Sequence, residues 1–124
     1  MPTGKLVPGT AAETQVEVTA ELSTNRMGQP GAEVLSTPSL LKLMEQCSIE
    51  ATDPHLDDGY VTVGYAVDGL RHLAPTAIGA VVRIRSVVAE INGTRLYYEI
   101  EAFEGDKKIG VATHKRAIIS KDGE

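Results

Sequence analysis

The chain has 124 residues, 42 % of them hydrophobic and 23 % charged, and carries a formal net charge of -5. That acidic balance argues against a nucleic-acid surface, which needs clustered Lys and Arg, and the single Cys47 excludes an internal disulfide. Without a Cys/His cluster there is no metal-ligand spacing to read, and no window approaches the roughly 18 consecutive apolar residues of a membrane span.

A chain of this length predicts one domain, 1–124, burying roughly two-thirds of its unfolded surface. Residues 1–12 read as an irregular lead-in. The stretch MPTGKLVPGTAAE lacks the apolar run of a secretion signal, so the expected compartment is the cytoplasm. With no Trp, Phe103 as the only Phe and four Tyr, packing must rest on aliphatic side chains.

In ETQVEVTAEL, Val16, Val18 and Ala20 alternate with Glu17 and Thr19, the pattern of a half-buried strand. Ser23 to Glu33 is rich in Asn, Gly, Gln and Pro and reads as a long loop, a candidate gate over a ligand. From Pro38 to about Thr52 the period changes. Leu40, Leu43, Met44, Cys47 and Ala51 recur at three- and four-residue steps, which predicts one amphipathic helix. Thr37 before Pro38 is the expected N-cap and start signal, and Asp53-Pro54 the stop.

Four extended segments follow: Tyr60 to Leu73, Ala80 to Ile91, Thr94 to Phe103 and Lys108 to Ile119. Asn92-Gly93 is a strong hairpin signal, Glu104-Gly105-Asp106 marks another reversal, and the natural expectation is an antiparallel meander. One helix and five strands make an α+β layout in which the sheet covers the helix's apolar face. A single helix covers only part of such a sheet, so a second copy is expected to bury the remainder.

Thr37, Glu45 and His72 stand out chemically, because a hydroxyl, a carboxylate and an imidazole together can activate water against a polarised carbonyl. Each also has a plain structural explanation. Thr37 serves as a cap; Glu45, about 120° from the centre of the apolar stripe, as a solvated carboxylate; His72 as a strand residue. His55, in an Asp-rich loop, reads as surface.

The blocks Ser36-Thr37-Pro38-Ser39-Leu40-Leu41-Lys42-Leu43-Met44-Glu45, Val63-Gly64, Arg71-His72-Leu73-Ala74-Pro75-Thr76-Ala77-Ile78-Gly79 and Ile109-Gly110-Val111-Ala112-Thr113-His114-Lys115-Arg116 carry a resemblance. In order and spacing they resemble the fluoroacetyl-CoA thioesterase-like branch of the hotdog-fold thioesterases, from about Glu13 to Ile119. The resemblance implies a hotdog fold, in which a long central helix is wrapped by a five- to six-stranded antiparallel sheet. It also implies a homodimer or higher homo-oligomer with acyl-CoA sites at the subunit interface. CoA enters only as part of the substrate, and no separate cofactor, metal, nucleic acid or membrane is expected.

By position, Thr37, Glu45 and His72 inherit the catalytic roles, Gly64 and Arg116 belong to the substrate site, and His114 packs or orients a neighbour. Arg116, Lys115, Lys107 and Lys108 are the cations available for CoA phosphates. The implied activity is hydrolysis of a small acyl-CoA. A non-catalytic ligand-binding module and an enoyl-CoA hydratase or dehydratase are the alternatives on the same fold.

Two departures from the family pattern matter. The fluoroacetyl-specific members carry phenylalanines in the lid before the threonine, whereas STNRMGQPGAEV has none, leaving Met27 and Val34 as apolar candidates for the mouth. The family also places its histidine seven residues after the strand glycine, whereas Gly64 to His72 is a step of eight. In a strand of period two the extra residue turns the imidazole to the wrong face unless a β-bulge absorbs it, and Asp68-Gly69 is the expected place.

Overall fold

The computed structural model describes residues 3–24 and 33–122. Its elements in chain order are β1 (Ala11–Glu17), α1 (Thr37–Thr52), β2 (Tyr60–His72), β3 (Val81–Asn92), β4 (Arg95–Glu104) and β5 (Lys107–Ser120). The five strands form one antiparallel sheet in the order β1-β3-β4-β5-β2. No helix among the described residues is long and apolar enough to cross a membrane.

The sheet is not the meander expected from the sequence. Strands β3, β4 and β5 do follow one another through the turns at Gly93 and Gly105, both at positive φ as tight hairpins require. β2, however, lies on the far edge, paired with β5 rather than β3. The physical reason is the connection: residues 73–80 contain no two-residue turn, and they run as a long crossing. Within it Leu73 N–H donates to Ile109 O, Val34 bridges Ala77, and Gly79 N–H donates to Val18 O. That last contact also ends β1 early. Val18 pairs with the crossing in both directions, and Ala20–Leu22 then curls into a short 3-10 turn instead of continuing the strand.

Inward-facing residues alternate along the strands as a half-buried sheet demands: Val82, Ile84 and Val88 on β3, Leu96, Tyr98, Ile100 and Ala102 on β4, Ile118 on β5. They pack against Leu40, Leu43, Met44 and Cys47 of α1 in a largely aliphatic core. The described part of the lead-in, residues 3–10, consists of irregular turns packed onto the domain. Leu6 is buried and the chain is pinned by Lys5 N–H to His55 O and Gly9 N–H to Val88 O, contacts too irregular to leave a periodic signature.

Candidate active site

The helix start is one residue earlier than a Thr37 cap would place it. Ser36 is the N-cap, its hydroxyl accepting from the backbone N–H of Ser39 at 3.2 Å, and Thr37 is the first helical residue. Thr37 is thereby released from capping. Its hydroxyl instead meets His72 Nδ1 at 2.8 Å, from an exposed position.

Two irregularities in β2 deliver His72 to that contact. Against β5 the register reads Gly64 to Arg116, Ala66 to Lys115, Asp68 to Thr113, Arg71 to Val111 and His72 to Gly110. One extra residue is absorbed around Tyr65 and another between Asp68 and Arg71, where Gly69 takes φ +61°. The second is the bulge expected at Asp68-Gly69; the first was not anticipated. Because two residues are absorbed, parity is kept, and Gly64 and His72 both face the helix side.

Close approach of α1 completes the pair. Opposite His72, a Cβ on Gly110 would lie 2.9 Å from Leu40 Cδ2 and 3.3 Å from Met44 Cε, so only a glycine lets the helix's first turns sit so near the sheet. Burial holds the His72 imidazole below its ordinary pKa of 6.5, so the ring is neutral near pH 7 and able to accept a proton. Its Nε2 is buried without a protein partner, as is the hydroxyl of Thr76 in the crossing segment. A cavity of about 350 Å³ opens beside the pair, lined by Thr24, Val34, Leu35, Leu73, Ala74 and Pro75 as well as Thr37 and His72.

The other expected site residues form a second cluster toward the far end of the helix. Arg116 is 4 % exposed; its Nε donates to Thr62 Oγ1 at 2.7 Å, Nη2 to Thr62 O at 3.0 Å and Nη1 to His114 Nε2 at 3.2 Å. His114 in turn donates from Nδ1 to Ala66 O at 2.8 Å, which assigns a neutral ring with its proton on Nδ1. Burial is the main cause of its lowered pKa; the Ala66 bond opposes the fall, Arg116 adds to it, and the Glu45 carboxylate opposes it.

Gly64 is needed where these meet. A Cβ there would come within 2.9 Å of His114 Cε1 and 3.0 Å of Arg116 Nη1. Thr62 carries the chain onward, donating to Asp53 Oδ1 at 2.6 Å, while its N–H donates to Asp53 Oδ2. Beside it the hydroxyls of Thr52 and Tyr98 pair at 2.7 Å, and burial raises the Tyr98 phenol to about 12.

Thus the structure brings Thr37 and His72 together, and separately Glu45, Gly64 and Arg116 around His114. Eight residues of helix put Glu45 about 12 Å of rise beyond Thr37, so the three do not form one hydrogen-bonded set within a protomer. Nor does Arg116 face the cavity. It points inward and orients His114 and Thr62.

The four cations proposed for phosphate do not converge either. Lys108 pairs with Glu101 at 2.7 Å, Lys107 is exposed at the start of β5, and Lys115 lies outward over Tyr97. Asp53 and Thr62 are polar partners that the sequence pattern does not single out, since Asp53 before Pro54 signals only a helix stop. The available signal was a threonine at an inward strand position, two residues before Gly64. Met27 lies outside the described residues.

Residues 10–122 match the model of the fluoroacetyl-CoA-specific thioesterase FlK. The chain belongs to this family. It is 33 % identical over 87 residues to the fluoroacetyl-CoA thioesterase of Streptantibioticus cattleyicolor, a match covering 70 % of this chain and 62 % of that protein. The chain thus spans less than two-thirds of that curated relative.

A solved structure of the fluoroacetyl-CoA thioesterase FlK superposes with a TM-score of 0.82 at 26 % identity, covering 94 % of this chain and 90 % of the other. A thioesterase superfamily member from Thermus thermophilus reaches 0.84 at 29 % identity, covering 94 % and 85 %. The hotdog architecture of the FlK family is therefore the architecture of this chain.

Proposed function

We propose that the protein hydrolyses a small acyl-CoA thioester to the free acid and CoA. The observation that carries this reading is the Thr37 hydroxyl held 2.8 Å from a neutral, partly buried His72 at the mouth of an apolar cavity. Membership of the FlK family and likeness to a FlK variant solved with fluoroacetate and CoA support it.

With the ring proton on Nε2, His72 Nδ1 accepts from the Thr37 hydroxyl and so can take a proton from that hydroxyl or from a water bound to it. The oxygen adds to the thioester carbonyl, the C–S bond breaks, and the imidazolium returns the proton to the departing thiolate. Attack by water gives the free acid directly, whereas attack by the Thr37 oxygen leaves an acyl-threonine ester. A second water, deprotonated by His72, then hydrolyses that ester to the acid and the free hydroxyl. Backbone N–H groups at the start of α1 lie where positive partial charge concentrates and can steady the developing oxyanion. Glu45, half-buried on α1 and apart from the Thr37–His72 pair within the protomer, is the candidate carboxylate of the wider site, and Gly64 the close-approach position on β2.

We assign the assembly as a homodimer through the β2 edge. β2 is an edge strand of the sheet, and Val63, Tyr65 and Leu73 along or beside it are exposed apolar residues.

The test is thiol release from a panel of acyl-CoAs by the wild type, Thr37→Ala, Glu45→Ala and His72→Ala. Loss of roughly 100-fold or more in kcat for the His72 variant is expected. Release insensitive to all three substitutions would overturn the assignment of the site, and conversion of an enoyl-CoA without thiol release would replace hydrolysis by hydration.

A further inference from the structure

Two β5 side chains reach across to β2 at the two places where its register breaks. His114 Nδ1 donates to Ala66 O at 2.8 Å, just past the irregularity around Tyr65, and Thr113 Oγ1 donates to Asp68 O at 3.2 Å, at the start of the second. A bulge disrupts the ladder locally. Among the described residues β5 is the one strand beside β2 within the protomer, so these side-chain bonds support the bulges from that side.

The His114 bond is the firmer of the two. Its ring is 1 % exposed, receives Arg116 Nη1 on the other nitrogen at 3.2 Å, and lies so near Gly64 that a Cβ there would come within 2.9 Å of Cε1. Arg116 also donates to Thr62 O at 3.0 Å, so β2 is gripped on both sides of Tyr65, at Thr62 and at Ala66.

Building on the thioesterase reading, we propose that His114 is a positioning residue: its bond to Ala66 O holds the bulge around Tyr65 and so keeps His72 on the face of β2 that meets Thr37. Strand side chains alternate between faces, so one bulge alone turns His72 away and two return it. From Gly64 to His72 the strand β2 runs eight residues, against six of β5 from Arg116 to Gly110, and loss of either extra residue breaks that match.

His114→Leu removes both the donor to Ala66 and the acceptor for Arg116. His114→Asn removes only the acceptor, because its amide nitrogen sits where Nδ1 does and still donates. Any instability from the guanidinium is common to both variants, and the difference between them isolates the Ala66 bond. In a thiol-release assay kcat should fall roughly ten- to hundredfold in His114→Leu and stay within about threefold of wild type in His114→Asn, with KM little changed in either.

Nitrogen–proton correlation spectra of the imidazoles give a readout that a merely structural role would not move. His72 should show one tautomer, protonated on Nε2, in the wild type and His114→Asn, and averaged tautomers in His114→Leu. Deleting Tyr65 should likewise abolish the single tautomer, and deleting Tyr65 together with Gly69 should restore it by removing both extra residues. In that double-deletion chain His114→Leu should no longer alter His72, and the deletions keep the test open if His114→Leu alone does not fold. Matching kcat and His72 spectra in His114→Leu and His114→Asn, or a wild-type tautomer after deletion of Tyr65 alone, would overturn the proposal. The spectra need no substrate, so a wild type that releases no thiol removes the hydrolase reading and leaves the role of His114 to be decided by the tautomer.

Discussion

Thr62 joins the helix end to the far polar cluster, and replacing it with the near-isosteric valine removes one oxygen and little volume. That oxygen accepts from Arg116 Nε at 2.7 Å and donates to Asp53 Oδ1 at 2.6 Å. Thr62 is 6 % exposed and Arg116 4 %, so water has little access to replace either bond. Hydrogen bonds to charged partners contribute about 1.5–3 kcal/mol each, and a buried group left without its partner loses its desolvation cost as well. Thr62→Val should therefore destabilise by roughly 3–5 kcal/mol, a large part of the 5–15 kcal/mol typical of a domain. For a chain of this size that corresponds to a fall in Tm of about 10–20 °C.

Thr62→Ser keeps the hydroxyl and should cost only about 1 kcal/mol for the lost methyl group. In a Thr62→Val background, Arg116→Met should recover part of the loss by removing the charge that was left unpaired. Urea and thermal unfolding followed by circular dichroism measure all three. Thr62→Val within 1 kcal/mol of wild type, or Thr62→Ser equally harmful, would refute the reasoning.

Three further outcomes are expected. Ser36→Ala, which deletes the N-cap, should cost about 1 kcal/mol in stability, whereas Thr37→Ala should leave stability nearly unchanged and abolish most thiol release; equal stability losses in the two would show that capping is shared. Gly110→Ala places a methyl against Leu40 and Met44 and should lower kcat by widening the Thr37–His72 contact, an effect that Leu40→Ala in the same chain should partly reverse; steady-state kinetics of the single and double variants decide it.

Acid should weaken the fold. Burial holds His72 and His114 below 6.5, so unfolding takes up protons at lower pH; stability is full above about 6.5 and is lost as pH falls, until the folded imidazoles themselves titrate. The buried His114 contributes a slope of at most about 1.4 kcal/mol per pH unit. Urea midpoints between pH 7.5 and 5 check this, and His114→Gln should flatten the profile.

Local periodicity and turn chemistry determined much of this protein without its fold. The helix over Pro38 to Thr52 was legible because its apolar residues recur at helical spacing, and the hairpins at Asn92-Gly93 and Gly105 because their glycines meet a backbone demand. The bulge at Asp68-Gly69 was legible for a different reason: an extra residue in a period-two strand must be absorbed somewhere, and Gly69 is the residue that tolerates φ +61°.

The tertiary structure alone decided where β2 sits, since strand order depends on the path of residues 73–80 and not on any strand's own pattern. It alone moved the cap from Thr37 to Ser36 and so freed the threonine for His72, a choice between adjacent hydroxyls that spacing cannot make. And it turned Arg116 inward, because a buried guanidinium is tolerated only where Thr62 and His114 satisfy it, and those partners lie 54 residues away and two residues away along the chain.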